Sequence, residues 1–480
     1  MSAIIDNAPY TAFHRRLALA CSGGPLLDGY ILSVVGVALI GMTPELGLST
    51  AEVSLIGAAA LVGMFVGGAV FGVLTDRVGR EVMYTADLLV IAACSVGSFF
   101  VTDVWAIVAL RFVLGMAIAA DYPIATSLLA EWLPIKHRGR LLGKQIIAWY
   151  AGSVLAYGVG YLFLRLGGNG SWRWLLASSA VLCLFFLVVR RGSPESPLWL
   201  AQHGREREAV ALVRRHLGRE VSAAELRDGP AEGGERLDAG SLRVLFSPAY
   251  RRRTLFCGLF FLCQVAPLFA MLTFGPAILG SFGMPGGTVM DTLGTGLISL
   301  VFLLGCYPAL RAIDRHGRRP TIIWSFALMI VPLVLLGLWP TAPALLALGA
   351  LCAYAFLCGG PNVLDWTYPN ELFPTSVRAT AVGFATSVSR IGAAVGTYLL
   401  PVALTGVGIG PTMLLAAGLT AVGLLVSWRW AEETRGIGLR EAAEATAHPG
   451  GPRSQPPQPP QPEQPGQPAR DGLALSGRRG

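Results

Sequence analysis

The chain has 480 residues, of which 53% are hydrophobic and only 14% are charged, and its mean hydropathy is +0.58. So much apolar surface exceeds what a soluble core can bury, so the composition excludes an ordinary soluble protein and predicts an integral membrane protein. The formal net charge of +8 is explained by membrane retention signals and anionic headgroups, and it gives no indication of nucleic-acid binding.

Apolar runs of about 20 residues, each long enough to cross a hydrocarbon core of about 30 Å, recur along the chain. Six precede a polar central segment and six follow it. We therefore predict an all-α membrane protein with two six-helix bundles, one at 17–190 and one at 253–430. The predicted spans are 17–41, 52–74, 82–101, 104–132, 142–165, 173–190, 253–280, 288–311, 320–339, 344–369, 380–405 and 411–430.

Three segments flank or join the bundles. Residues 1–16 form a short N-terminus, and 191–252 form a polar linker in which 205–217 has the pattern of an amphipathic helix at the membrane surface. Residues 431–480 are rich in Pro and Gln and are predicted to be disordered. The eight cysteines lie singly in apolar runs, so we predict packing roles, no metal site and no cofactor.

Basic residues gather in alternate loops, which predicts that these loops and both termini are cytoplasmic. The opposite loops contain no Lys or Arg, apart from Arg165 and Arg173, which flank the loop at 166–172. The expected location is the plasma (inner) membrane. The basic positions are Arg77, Arg80, Lys136, Arg138, Arg140, Arg190, Arg191, 251–253, 311–319 and Arg378.

Two loop motifs occur once in each half of the chain. Their copies are separated by about 240 residues, as expected for a duplicated gene whose halves are parallel repeats. The first pair is Thr75-Asp76-Arg77-Val78-Gly79-Arg80 and Ile313-Asp314-Arg315-His316-Gly317-Arg318; in the second, Glu131, Pro134, Arg138 and Gly143 recur as Glu371, Pro374, Arg378 and Gly383.

Both motif pairs resemble the signature loops of the major facilitator superfamily, and the resemblance extends from Leu17 to Trp430. It implies a monomeric secondary transporter that works by alternating access, with gating groups in these loops. The alternative for the charged pairs is surface ion pairing of little consequence. The gating candidates are Asp76, Arg77, Arg80, Asp314, Arg315 and Arg318, which would latch the cytoplasmic side, and the ion-pair residues Glu131, Arg138, Glu371 and Arg378.

Four charged residues lie deep in the predicted spans, where a charge is costly and therefore indicates function. Asp28 and Arg390 fall close to the predicted membrane centre, Asp121 is similarly deep in the fourth span, and Arg111 lies in its outer half. Each is a candidate for substrate binding, and structural intramembrane ion pairs are the alternative.

The segment Gly360-Pro361-Asn362-Val363-Leu364-Asp365-Trp366 resembles the tenth helix of sugar porters. This resemblance implies that Asn362 and Trp366 face the substrate, together with Gln264 on the seventh helix. Two other positions differ, because Ile146 and Phe269 stand where hexose transporters have a glutamine and an asparagine. The loss of these hydroxyl partners argues against a hexose.

Asp28-Gly29-Tyr30-Ile31 and Arg390-Ile391-Gly392-Ala393 resemble segments of the metabolite, aromatic-acid and niacin symporters of the superfamily. A second aspartate of that pattern is Ile31 here. Asp28 and Asp121 therefore remain as candidates for proton coupling. Asp121-Tyr122-Pro123 also resembles phosphate symporters, over three residues only.

We predict a secondary transporter of a small organic anion, coupled to protons, whose partners are its substrate, protons and the lipid bilayer. A facilitated transporter of a sugar, polyol or phosphate and a non-transporting receptor on the same fold are the alternatives. The sequence contains no His-Glu-x-x-His or Gly-x-Ser-x-Gly motif, and Gly139 to Gln145 lacks phosphate-loop spacing, so an enzyme or ATP-driven pump is not predicted.

Overall fold

The computed structural model describes residues 8–435 except 79, 168–169, 192–193, 203, 220–242 and 374. Some helical side chains also lie outside the described set, among them 69–78, 80–81, 122–124, 131, 135–140, 366 and 378–379. The described part is helical and contains no strand. Its helices are α1 Ala12–Leu46, α2 Thr50–Val78, α3 Arg80–Phe100, α4 Val104–Trp132, α5 Ile135–Leu166, α6 Ser171–Arg190, α7 Pro197–Gln202, α8 Glu206–Leu217, α9 Arg251–Ser281, α10 Gly287–His316, α11 Arg318–Leu338, α12 Ala344–Leu357, α13 Gly359–Leu372, α14 Thr375–Gly406 and α15 Ile409–Trp430.

The predicted all-α membrane fold is confirmed. Eleven helices of the described chain are long and apolar enough to cross a membrane, and α3 adds a shorter apolar stretch at Thr85–Phe100. The predicted span at 344–369 is one membrane segment built from two helices, α12 and α13, which meet at Cys358. α1 begins at Ala12, before the predicted start at residue 17.

Helix packing follows the internal repeat. Within the first half α1 packs on α5 and α3 packs on α6, and in the second half the equivalent helices pack in the same way, α9 on α14 and α11 on α15. Between the halves, α1 contacts α9, α2 contacts α14, and α5 contacts α10. The repeat relates α2 to α10 and α5 to α14. The α2–α14 and α10–α5 contacts are therefore equivalent, as expected for two copies of one bundle.

One face of α5 makes three hydrogen bonds to the second half. Tyr150, Ser153 and Tyr157 share this face because they are three, four or seven residues apart. The Asn362 amide donates to the Tyr150 hydroxyl, and the Tyr157 hydroxyl donates to the Leu272 carbonyl. The Ser153 hydroxyl donates to that of Ser299 on α10 across 3.2 Å.

These contacts extend from the middle of the bundle toward the end that carries the α1–α2 turn, which we call the far face. The opposite end, where α6 ends and α9 begins, is the linker face. On the far side of the middle, Gly36 lies against the backbone of Thr273, and Gly57 lies against Phe274 and Thr397. A Cβ at Gly36 would overlap the Thr273 carbonyl, so glycine is what lets the halves approach here.

The linker helix α8 packs on the linker face of the first half, where the sequence predicted an amphipathic helix. Ala209 and Val213 are its buried residues and join a cluster with Leu129 and Trp132. His216 stacks on Phe13, with ring centroids 4.5 Å apart, and meets the edge of Trp132. Burial, followed by the charge of Arg215, lowers the pKa of His216, which favours the neutral ring at this packed position.

The residues after α15 differ from the predicted disordered tail. Ala431–Arg435 return along the linker face of the second half, and we call them the return segment. The Glu433 carboxylate accepts from the backbone amides of Arg318 and Arg319 at the start of α11, at 3.0 and 3.1 Å. Glu432 pairs with the buried Arg253 of α9, Nη2 to Oε2 2.5 Å. The rest of the predicted tail, from 436, lies outside the described residues.

Candidate substrate-binding site

A cavity of about 60 Å³ lies between the halves near the middle of the bundle. Its lining is mostly aromatic and aliphatic, with three polar residues, Asn362, Asp365 and Arg390. Pockets that enclose a small-molecule ligand have volumes of about 300–1,000 Å³, so this cavity is too small to enclose a metabolite. The halves must separate for a metabolite to enter. The apolar lining residues are Ile146, Trp149, Tyr150, Phe261, Val265, Leu268 and Phe269.

The two positions that argued against a hexose, Ile146 and Phe269, both line this cavity. Trp149 meets Phe269 edge to face, with centroids 5.6 Å apart. The guanidinium carbon of Arg390 lies 5.7 Å from the centroid of Phe269, within the range of a cation–π contact. An aromatic wall next to a cation therefore replaces the hydroxyl-binding amides of hexose transporters.

A chain of amides adjoins the cavity. The Nε2 group of Gln264 donates to the Asn362 Oδ1 across 3.1 Å and to the Cys358 sulfur across 3.2 Å. Asn362 in turn donates to Tyr150 of the first half. The Gln264 Oε1 atom is buried and has no hydrogen-bond partner in the described part of the chain. These hydrogen bonds connect the break between α12 and α13 to the contact between the halves.

Arg390 is the electrostatic centre of the site. It lies near the middle of α14, and its charge acts on two buried carboxylates, Asp365 of the second half and Asp28 of the first. Asp28 is 1% exposed, and neither of its carboxylate oxygens has a hydrogen-bond partner among the described residues. The charge of Arg390 therefore influences one buried carboxylate from each half, and Arg190 also acts on Asp28.

Asp121 and Arg111 lie elsewhere in this conformation. The Asp121 Oδ1 atom accepts from the Nη2 group of Arg190 at 2.6 Å, within the first half. Arg111 is buried, and its Nε group donates to the Ile56 carbonyl at 3.0 Å. Neither residue is among the described residues that line the cavity, so their predicted roles in substrate binding stay predictions.

Arg190 shows where the loop assignment was incomplete. The sequence placed it with the basic loop residues, whereas the structure places it at the buried end of α6. Its Nη1 group also lies 3.7 Å from the Oδ1 atom of Asp87 on α3. The adjacent Arg191 hid this role, because a pair of arginines at a span boundary is also the pattern of a retention signal.

The gating candidates are described in part. Arg318 holds Glu371 through two hydrogen bonds, Nε to Oε2 3.0 Å and Nη2 to Oε1 2.7 Å. Glu371 also accepts from Thr434 of the return segment. Asp314 and Arg315 are exposed at the end of α10. The side chains outside the described residues are those of Asp76, Arg77, Arg80, Glu131, Arg138 and Arg378, and of Trp366 at the predicted substrate site.

We expect Glu371→Gln to slow transport severalfold and to leave equilibrium substrate affinity within a few-fold. Glutamine keeps the size of the side chain but loses a charge-assisted fork to Arg318, which contributes on the order of 1 kcal/mol when partly exposed. Transport rate and binding, measured separately on purified protein, check this. Glu208→Gln is the control, since Glu208 forms an exposed pair with Arg205 on α8. An unchanged transport rate, or a complete loss of binding with conformational exchange intact, would contradict the gating role.

The duplicated bundle of membrane-spanning helices, with its cavity between the halves, defines a major facilitator transporter. Residues 17–445 match the sequence model of the sugar (and other) transporter family. The chain therefore belongs to this family, whose members are transporters, and it is a secondary active transporter of that group. The predicted relationship to sugar porters and metabolite symporters is confirmed.

Similar proteins cover most of the chain. It is 41% identical over 441 residues to the putative metabolite transport protein YaaU of Escherichia coli (strain K12), covering 92% of this chain and 97% of that protein. It is 37% identical over 437 residues to the inner membrane metabolite transport protein YgcS of the same strain, covering 91% and 95%. The xylose transporter XylE from E. coli, in a partially occluded inward open conformation, has a TM-score of 0.75 at 21% identity, covering 89% of this chain and 100% of that chain.

Proposed function

We propose that the protein is a proton-coupled transporter of a small organic anion whose body is apolar or aromatic. The observation that carries this proposal is the Arg390 guanidinium in a cavity whose other lining residues are mainly aromatic and aliphatic. A carboxylate can accept two parallel hydrogen bonds from a guanidinium, while an aromatic body packs against Trp149 and Phe269. Low dielectric inside the cavity strengthens the charged contact.

Proton coupling follows from the sharing of Arg390. An anion that binds this guanidinium withdraws positive charge from Asp28 and Asp365, and an ionised carboxylate without that support is unstable in a low-dielectric interior. Binding of the anion therefore favours binding of a proton. Because linkage is reciprocal, the proton also favours binding of the anion, which is the thermodynamic basis of symport. Among the similar proteins, XylE is described as a proton:xylose symporter.

Uptake into proteoliposomes containing the purified protein tests this function. We expect an inward proton gradient to drive accumulation of an aromatic monocarboxylate in preference to an aliphatic carboxylate, a hexose or phosphate. Empty liposomes correct for passive entry of the neutral acid. Saturable uptake of hexose, with no competition by any carboxylate in the panel, would contradict the anion assignment and show that the substrate is a sugar.

A sugar is the second candidate, and one observation favours it. The amides of Gln264 and Asn362 adjoin the cavity. The buried Gln264 Oε1 atom is an acceptor that has no donor among the described residues. A sugar hydroxyl could donate to it. XylE, named as a xylose transporter, is consistent with this alternative. The same uptake panel separates the two, because only the anion gains the charge interaction with the guanidinium, whereas a neutral sugar can only accept hydrogen bonds from it.

We further propose that the linker face is cytoplasmic, that both termini lie on that side, and that the protein resides in the plasma membrane as a monomer. The loop arginines support this orientation. The contacts between the halves at the far face then close the external side. Lipid and protons complete the set of proposed partners.

Cysteine labelling tests the orientation. We expect Ser281→Cys, at the far-face end of α9, to react with an impermeant thiol reagent added outside intact cells. Ala231→Cys in the linker should react only after the membrane is made permeable. The eight native cysteines are buried or half-buried, so they give a low background. Labelling of both positions from one side would contradict the topology.

A further inference from the structure

A buried charged cluster lies in the first half, apart from the cavity. Asp87 of α3 and Asp121 of α4 are 3% and 1% exposed, and both face Arg190 at the end of α6. The Asp121 carboxylate has a short bond to Arg190, at 2.6 Å. The Asp87 carboxylate, at 3.7 Å from Arg190, is beyond hydrogen-bond distance.

The two carboxyl groups also meet each other. Their side chains are close enough to form a hydrogen bond, yet the Oδ2 atom of each has no partner among the described residues. Two ionised carboxylates cannot donate to one another, and like charges in contact are unfavourable in a buried site. One proton between them removes both problems, because one group then donates its O–H to the other. The single negative charge that remains is balanced by Arg190.

The cluster adjoins the proposed coupling residue. The Asp121 carboxylate lies against Gly24 of α1, one helical turn from Asp28 on the side of the linker face. Charge interactions connect Asp28 with Asp121 and with Arg190. Among the described residues, the Cys183 thiol of α6 also interacts with the pair. The pair therefore lies between the middle of the bundle and the linker face.

We propose that Asp87 and Asp121 share one proton and form a second proton-holding site between Asp28 and the linker face, with Arg190 as its positioning residue. As a step in transport, this role rests on the proposed proton coupling. A proton that leaves Asp28 moves to the pair. When the pair releases this proton toward the linker face, both carboxylates are ionised. Arg190 then closes its 3.7 Å gap to Asp87. No other reactant is needed.

Infrared difference spectra of the purified transporter between about pH 6 and about pH 9, a range in which ordinary exposed carboxyl groups stay ionised, provide the test. Protonated carboxyl groups give a C=O stretching band that ionised groups lack. In an Asp28→Asn background, we expect Asp87→Asn to remove one carboxyl contribution from this band, and Asp121→Asn to remove the same contribution. Asp87→Asn keeps the 2.6 Å ion pair, so it remains informative if Asp121→Asn does not fold. Asp103→Asn, an exposed helix cap that asparagine can also form, is the control and should leave the band unchanged.

A band of unchanged area in both Asp87→Asn and Asp121→Asn would overturn the shared proton. Loss of the whole band in the Asp28→Asn variant would also overturn the shared proton, because all of the protonated carboxyl signal would then come from Asp28 and none from the pair. The measurement needs no substrate. If the wild-type protein shows the Asp87-dependent band but no proton-driven uptake, the proposed transport function fails and the shared proton stands.

Discussion

Replacement of Arg390 by lysine is expected to reduce uptake of the organic anion by about tenfold to hundredfold. A point charge cannot replace the planar fork of a guanidinium, and the loss of one charge-assisted hydrogen bond costs about 1.5–3 kcal/mol. About 1.4 kcal/mol corresponds to a factor of ten. Lysine also loses the planar group that lies over Phe269. Initial rates in proteoliposomes, at several substrate concentrations, measure the effect.

Arg165→Lys is the matched control for this variant. Arg165 lies exposed in the last turn of α5 at the far face, away from the cavity, so the same substitution there should leave uptake within about twofold. The anion assignment would be contradicted if Arg390→Ala transported a neutral sugar efficiently. It would also be contradicted if Arg390→Lys kept the wild-type rate, because the fork would then not contact the substrate.

Asp28→Asn is expected to abolish accumulation of substrate against its gradient while exchange across the membrane continues. The amide has the size of a protonated carboxyl group but cannot release a proton, so the link between proton and substrate is lost. Buried and unpartnered, Asp28 is the first-half carboxylate on which the charge of Arg390 acts. Uptake driven by an imposed inward proton gradient, compared with counterflow without one, separates the two activities.

Asp291→Asn serves as control for Asp28→Asn. Asp291 is also buried and has an unpartnered oxygen, but it lies near the far-face start of α10, against Gly280. Its substitution should preserve accumulation. If wild-type vesicles merely equilibrate the substrate and external pH has no effect, the protein is a uniporter and Asp28 is structural.

The helices could be predicted because the bilayer imposes a length on each apolar run. The break at Cys358 was not predicted, because the run at 344–369 is apolar enough to cross a membrane as one segment. Gly359, Gly360 and Pro361, which directly follow it, were the sequence signal for the break. Gly359 lies against the backbone of Gly305 and Cys306 on α10, so glycine also permits a close helix contact there.

The chemistry of the site was predicted for single residues but not for their partners. Depth in the membrane identified Asp28 and Arg390, whereas the position of Asp87 beside Arg190 depends on how α3 and α6 pack. The motif also suggested Arg378 as a partner of Glu371, and the structure shows Arg318 bonded to it. Sequence spacing gives the depth of a charge, and only the packed bundle gives its neighbour.

The return segment gives the second half a mechanical property. Its few residues tie the end of α15 to α9, α11 and α13 through Glu432, Glu433 and Thr434. These contacts add to the direct bonds between the helices at this face, such as that of Arg318 with Glu371, so the ends of the four helices are cross-linked there. Stiffness of this kind lets a half of the transporter rock as one body, so that a movement of a few ångströms at the cavity reaches the linker face undiminished.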